Sequence, residues 1–305
     1  MTLEYSISEK GWPVEIHTPI LDITEEDKKE LCELLLNNVV IYWKKQNLTP
    51  QQELDFCKSI GRYHYDDVDW KELWNTLTDE TKSTFLYEYP GILRVTGKPG
   101  ITGKPGHFSH KEELGWHSDS IWNPNRKNCI WLYAVSGTKG SITRYINNIL
   151  VYESLPNDLK EIYNNYEVQF YGNRFKKDFE TLSYKKAIKR DEEMKELGIF
   201  HKLVLDNGYG RKGLFLSPHQ LGIVKGMSEE DSLQWANEML EYMTKPEFVY
   251  SHRWEDGDVV ISEQTFSVHM RDSFEDMEKR YLHHIQFNMN NIIPNLKYEG
   301  YNGKL

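Results

Sequence analysis

Cysteine is scarce in this 305-residue chain. Cys32, Cys57 and Cys129 are the only three, widely separated and without a Cys-x-x-Cys spacing. That excludes a disulfide framework and a zinc ribbon, and it suits a reducing compartment, the cytoplasm. Basic charge is in deficit as well: 37 Lys and Arg stand against 47 Asp and Glu, a formal charge of −10. Such a surface does not track nucleic-acid phosphates, so the expected partner is a small molecule and no nucleic acid. No stretch approaches about 18 consecutive apolar residues, and the opening Met1-Thr2-Leu3-Glu4 has neither a basic nor an apolar leader pattern, so no membrane span or targeting segment is expected. No Pro/Gly/Ser-rich linker divides the chain, which argues for one domain over residues 1–305 and leaves a homo-oligomer open.

What is present is an ordered series of short elements. Val14-Glu15-Ile16-His17 alternates like a strand, Thr24 can cap a helix carrying Leu31, Leu34 and Leu35, and Val39 to Trp43 is rich in β-formers. Thr49-Pro50-Gln51-Gln52 combines an N-cap, a proline at N1 and a glutamine at N3, starting a helix that Gly61 can end. These form an N-terminal αβ segment over 1–65. Thr96-Gly97-Lys98-Pro99-Gly100 is repeated at Thr102-Gly103-Lys104-Pro105-Gly106, a loop that is either a flap over a pocket or a surface turn. Strand-like runs follow at Cys129 to Ala134, Leu203 to Leu205, Gly213 to Leu216, Phe248 to Tyr250, Val259 to Ser262 and Tyr281 to Phe287, with a helix beginning after Ser228. The pattern predicts an α+β, mainly β chain: a jelly-roll, cupin-like double-stranded β-helix over about 90–295, with inserted helices over about 155–245.

The chemistry centres on Gly115-Trp116-His117-Ser118-Asp119. An imidazole and a carboxylate two residues apart leave the same face of an extended chain and can grip a divalent metal from one side. The pattern alone is weak. Eleven histidines make accidental pairs, and His64-x-Asp66 and His110-x-Glu112 have the same form. An iron(II) oxygenase needs a second imidazole from a late strand, and His269 follows the run Val259 to Gln264. Eleven residues later Arg280 could hold a dicarboxylate's far end, and Thr143 lies 24 residues after Asp119.

With these residues in order, the chain resembles the taurine-dioxygenase-like (TauD/TfdA) family of iron(II) and 2-oxoglutarate-dependent oxygenases over nearly its whole length. The motifs are Trp116-His117-Ser118-Asp119, Thr143 with Tyr152-Glu153-Ser154-Leu155, Trp254-Glu255-Asp256-Gly257-Asp258, Glu263-Gln264, His269 and Arg280. His64-x-Asp66 lies 205 residues before His269 rather than 152 and lacks the threonine phrase. The resemblance implies Fe(II) on His117, Asp119 and His269, with 2-oxoglutarate as co-substrate on Arg280 and Thr143. Oxygen is the second co-substrate and hydroxylation of a small molecule the default outcome. Asp119 argues against halogenation, for which related enzymes lack the carboxylate. Where taurine-handling members carry a second arginine, fifteen residues after the last ligand, this chain has His284, so an amino-acid-like substrate is favoured over a sulfonate. His64, Trp116 and His284 are the candidate substrate-side residues. The rival class is a non-catalytic jelly-roll protein binding a metal or small molecule. Retention of both Asp119 and Arg280 favours the enzyme.

Overall fold

Two capping boxes start the N-terminal helices. Thr24 accepts from the Asp27 N–H while the Asp27 carboxylate accepts from the Thr24 N–H, opening helix Glu25–Asn38. Thr49 and Gln52 exchange the same pair of bonds at the start of helix Pro50–Ile60. Each helix buries the stripe its sequence offers: Leu31 and Leu35 in the first, Leu54, Cys57 and Ile60 in the second. Gly61 ends the second helix for a reason other than turn geometry. A Cβ there would lie 2.1 Å from the Asn288 carbonyl oxygen, so only glycine lets the last strand come this close.

The computed structural model describes residues 3–63, 65, 68–171, 191–293, 296, 298 and 301–302. Its main sheet has eight strands. Tyr5–Ile7, Val14–Ile16, Val40–Trp43, Val259–Glu263, Cys129–Ser136, Tyr281–Asn288 and Arg62–Tyr63 are neighbours in that order, and Leu93–Thr96 also pairs with Tyr281–Asn288. A second sheet has the order Val249–Arg253, Ile142–Asn147, Ser267–Arg271, Leu114–His117. These sheets are the two layers of a double-stranded β-helix, as the strand pattern predicts. Val40–Trp43 lies inside the main sheet, parallel to Val14–Ile16 and antiparallel to Val259–Glu263, so the N-terminal segment is part of the barrel wall.

The insert adds Glu167–Phe170 between His201–Lys202 and Leu221–Val224, together with helix Glu229–Met243. That helix buries Ser232, Ala236, Met239 and Met243, while Leu233 and Leu240 flank the stripe. Ser232 is central because its hydroxyl accepts from the Val224 N–H and so ties the helix to the neighbouring strand. The glycine-proline repeat folds on itself through a Pro99–Pro105 bridge, and the buried Arg94 donates to the Ser83, Lys98 and Pro99 carbonyls. No helix among the described residues is long and apolar enough to cross a membrane.

Two buried polar clusters tie neighbouring elements together. Glu53, fully buried, accepts from Trp131 Nε1 at 3.0 Å and from His283 Nδ1 at 2.6 Å, locking helix Pro50–Ile60 to the main sheet. Glu53→Ala leaves two buried donors unbonded and is expected to lower the unfolding free energy by about 3 kcal/mol in a urea titration.

Asp258 accepts from Lys44 Nζ at 2.6 Å, from His252 Nε2 at 3.1 Å and from the Glu255 N–H at 3.0 Å. Burial alone would raise its carboxyl, but the bonds from His252, Lys44 and Glu255 outweigh it and hold the group below its ordinary 3.8. A carboxyl depressed on folding contributes stability above its unfolded value and loses it as pH falls through the folded one. Thermal melts of the wild type should therefore show this contribution intact at neutral pH and disappearing only below about pH 4. Asp258→Asn should melt lower at pH 7 and show a shallower acid-induced loss.

Candidate metal centre

His117 and His269 are directly opposite each other on adjacent antiparallel strands. Residues in that relation carry their side chains on one face, which brings the imidazole centroids to 4.2 Å although 152 residues separate them. Asp119 enters from the turn after Leu114–His117. Its Oδ1 lies 3.4 Å from His117 Nε2 and 3.9 Å from His269 Nε2. These three residues form a group able to hold a metal ion, with one donor atom from each lying within 4.8 Å of the others.

The surroundings fit a cation. His117 Nδ1 lies 2.7 Å from the Gly115 carbonyl and must donate to it, which turns the lone pair of the buried, unpartnered Nε2 toward the other donors. Burial, reinforced by the neighbouring His117, pushes His269 down to about 3, so its imidazole is neutral near pH 7 and free to ligate. Burial opposes ionisation of Asp119, yet the surrounding imidazoles of His117, His284 and His269 prevail and hold its carboxyl well below the usual range. The site therefore offers two imidazoles and one carboxylate.

The turn that carries Asp119 is pinned by Gln264, which pattern reading placed in the motif without a task, and by Gln220 and Arg126, which it did not name. Gln264 Oε1 accepts from the Asp119 N–H at 3.2 Å, and the Gln264 carbonyl accepts from the Ser118 hydroxyl at 2.8 Å. Gln220 Oε1 takes the Ser118 N–H at 2.8 Å, and Arg126 Nη2 donates to the Gln264 carbonyl at 2.6 Å. Glu263 closes the opposite turn by accepting from the Thr265 and Phe266 N–H groups and the Tyr298 hydroxyl. Trp254 has a similar function. Its indole N–H donates to Thr143 Oγ1 at 2.9 Å, leaving the hydroxyl hydrogen of this buried threonine available to donate.

Arg280 is 2% exposed, and its Nε and Nη1 have no hydrogen-bond partner among the described residues. Burial, then repulsion from Arg271, lowers it to about 9, and Tyr145 offsets part of that. A buried guanidinium with open donors is stabilised by a carboxylate, which supplies charge and two acceptors together.

The candidate substrate-side residues separate. His284 is buried, and its Nε2 lies 3.0 Å from Asp119 Oδ2, so it contacts the carboxylate directly. Gln286 Nε2 joins it at 3.3 Å. Gln286 escaped sequence reasoning, although a strand period of two from His284 was the signal for a shared face. Trp116 precedes His117 on its strand, so alternation points its buried ring away from the donors. His64 and Asp66 lie outside the described residues.

The family match and the named relatives put the chain in a class that the sheet pair and donor set fit, the 2-oxoglutarate-dependent dioxygenases. Within that class the chain belongs to the family described as taurine catabolism dioxygenase TauD, TfdA family, whose profile matches residues 8–286. It is 23% identical over 262 residues to the alpha-ketoglutarate-dependent 2,4-dichlorophenoxyacetate dioxygenase of Cupriavidus pinatubonensis, covering 83% of this chain and 86% of that one. It is 22% identical over 183 residues to the pentalenolactone F synthase of Streptomyces arenae, covering 57% of this chain and only 61% of the relative. A taurine dioxygenase from Burkholderia xenovorans shares the fold at a TM-score of 0.68 and 16% identity, over 94% of this chain and 89% of that one. AAD-2, solved with Mn(II) and N-oxalylglycine, shares it at a TM-score of 0.68 and 18% identity, over 94% and 97%.

Proposed function

We propose that this chain is an iron(II) enzyme coupling oxidative decarboxylation of 2-oxoglutarate to hydroxylation of a small molecule. His117 Nε2, His269 Nε2 and Asp119 Oδ1 would hold the iron, and Arg280 and Thr143 the co-substrate. The observation that carries the reading is the pairing of three converging donor atoms with a buried guanidinium that has two nitrogens unpartnered among the described residues. Arg280 and Asp119 both act electrostatically on the Tyr145 hydroxyl. Iron(II) bound there with 2-oxoglutarate and oxygen supplies the decarboxylation to succinate and the oxidising power to replace a C–H hydrogen with a hydroxyl group. The chain's own residues orient and exclude. Arg280 neutralises the distant carboxylate of the co-substrate, Thr143 donates to it, and His284 with Gln286 holds the outer oxygen of Asp119.

We favour an amino-acid-like substrate. His284 stands where a sulfonate-reading arginine is expected from the resemblance, and its Nε2 is already engaged with Asp119. A second reading, an aryloxy carboxylic acid, is supported by relatives named for 2,4-dichlorophenoxyacetate and (S)-phenoxypropionate. The test is a succinate-release screen over pooled amino acids, phenoxy acids, sulfonates and nucleosides with iron and ascorbate. An amino-acid pool should raise succinate above the uncoupled background, and a response confined to phenoxy acids selects the second reading. No succinate under any condition refutes both. We also infer that the 305 residues act as one domain, because strand Val40–Trp43 is built into the main sheet, and that the protein works in a reducing cytoplasm, a reading supported by three free, buried cysteines.

A further inference from the structure

A single register line crosses the second sheet. His117 pairs with His269, His269 with Tyr145, and Tyr145 with Tyr250, so four side chains from four strands stand in a row on one face. Their rings follow one another closely. The centroids of His269 and Tyr145 are 6.0 Å apart, those of Tyr145 and Tyr250 are 6.3 Å apart and stacked, and Tyr250 stacks in turn on Tyr42 of the main sheet at 5.7 Å. Trp12 meets Tyr250 edge-on at 6.3 Å. The row ends in an open groove lined by Trp12, Tyr42 and Tyr250 with Ser8 and Lys10.

The phenol hydroxyls differ along the row in a way that packing alone does not require. Tyr145 is fully buried and its hydroxyl has no hydrogen-bond partner among the described residues. The outer two each have a proton acceptor. Tyr250 Oη lies 2.7 Å from His252 Nδ1, whose Nε2 is 3.1 Å from Asp258 Oδ2, and Tyr42 Oη donates to Glu15 Oε2 at 2.8 Å. Burial lowers His252 from its ordinary value, so the imidazole can take a proton at neutral pH.

We propose that Tyr145, Tyr250 and Tyr42 form an electron relay that carries oxidising equivalents from the metal centre to the surface groove when no substrate is bound. The relay rests on the iron reading above. In each transfer one electron passes from Tyr250 through Tyr145 to the centre, and the Tyr250 proton moves to His252 Nδ1, leaving a neutral phenoxyl radical and an imidazolium paired with Asp258. Tyr145 cannot stop the hole, because its hydroxyl has no base to receive the proton. Two such transfers supply the two electrons an absent substrate would have given, and the oxygen atom leaves as water with two protons from solvent. An ascorbate-class reductant in the groove returns an electron to each radical, and His252 returns the proton. The relay would protect the ligand side chains from self-oxidation.

The experiment mixes anaerobic protein loaded with iron(II) and 2-oxoglutarate with oxygenated buffer, without substrate. Samples freeze-quenched in time are read by electron paramagnetic resonance, with ring-deuterated tyrosine to assign the radical, and succinate is measured in each. Wild type should show a tyrosyl signal that ring deuteration narrows. Tyr250→Phe keeps the stacked ring and should reduce that signal several-fold, while oxidised peptides around 117–119 and 269 rise several-fold by mass spectrometry. Tyr42→Phe should lengthen the radical's lifetime in the presence of ascorbate. Succinate without any tyrosyl signal, or a signal and peptide pattern unchanged in Tyr250→Phe, overturns the relay alone. No succinate from the wild type overturns the iron reading and the relay with it.

Discussion

Asp119→Ala protein, mixed anaerobically with iron(II) and 2-oxoglutarate, is expected to show no visible charge-transfer band where the wild type shows a weak one, and to release no succinate. Asp119 is the only anionic member of the donor set, and its Oδ1 faces both imidazoles. Without it the site holds two imidazoles and no anion, so nothing in the donor set offsets the charge of a divalent ion in a buried setting. Loss of an outer-shell partner alone typically weakens metal binding 10- to 100-fold, so loss of the ligand should cost more than about 100-fold. Asp119→Asn is the sharper control. It preserves shape, yet the donor contacts from His284 and Gln286 then meet an amide that presents a nitrogen or an oxygen but not two acceptors. A band of wild-type intensity in either variant would remove Asp119 from the metal site.

Arg280→Met should leave iron binding nearly unchanged while weakening 2-oxoglutarate. Replacing the guanidinium with an apolar chain of similar length leaves the distant carboxylate of the co-substrate buried without a counter-charge. Truncating one partner of such a pair costs about 2–5 kcal/mol, so 3 kcal/mol, on the order of 100-fold in Kd, is a reasonable expectation. Because Arg280 is buried with Nε and Nη1 unpartnered, the free variant should be no less stable than the wild type, and removing a desolvated cation should raise its melting temperature. The two measurements together separate the roles. Co-substrate affinity should fall as thermal stability holds or rises, whereas a structural arginine would lower both. Arg280→Lys should recover only part of the affinity, since an ammonium cannot present two parallel donors to a carboxylate.

Much of this architecture is legible in the linear order of residues because local chemistry sets it. The capping pairs Thr24/Asp27 and Thr49/Gln52 satisfy N–H groups within a single turn, so three-residue spacing is enough to place both helix starts. The His-x-Asp spacing likewise guarantees that His117 and Asp119 leave the chain close together. Helix Glu229–Met243 shows where local pattern falls short. Its apolar periodicity centres near Leu233 and Leu240, whereas the buried stripe runs through Ser232 and Met239, where the strand just before the helix, Leu221–Val224, supplies a backbone N–H for the Ser232 hydroxyl.

What the sequence by itself determined is the inventory and order of the donors, the positions of the helix starts and the mainly β class, since each depends on residues a few positions apart. Tertiary structure alone decided that His269 would stand opposite His117, that His284 and Gln286 would grip Asp119, and that Gln264 and Arg126 would lock the turn between them. It also aligned Tyr145 and Tyr250 with His117 and His269. The physical reason is register: each strand sets which side chains share a face, but which residue of a distant strand lies opposite is settled only when the sheets close and every inward-facing side chain must fit at once.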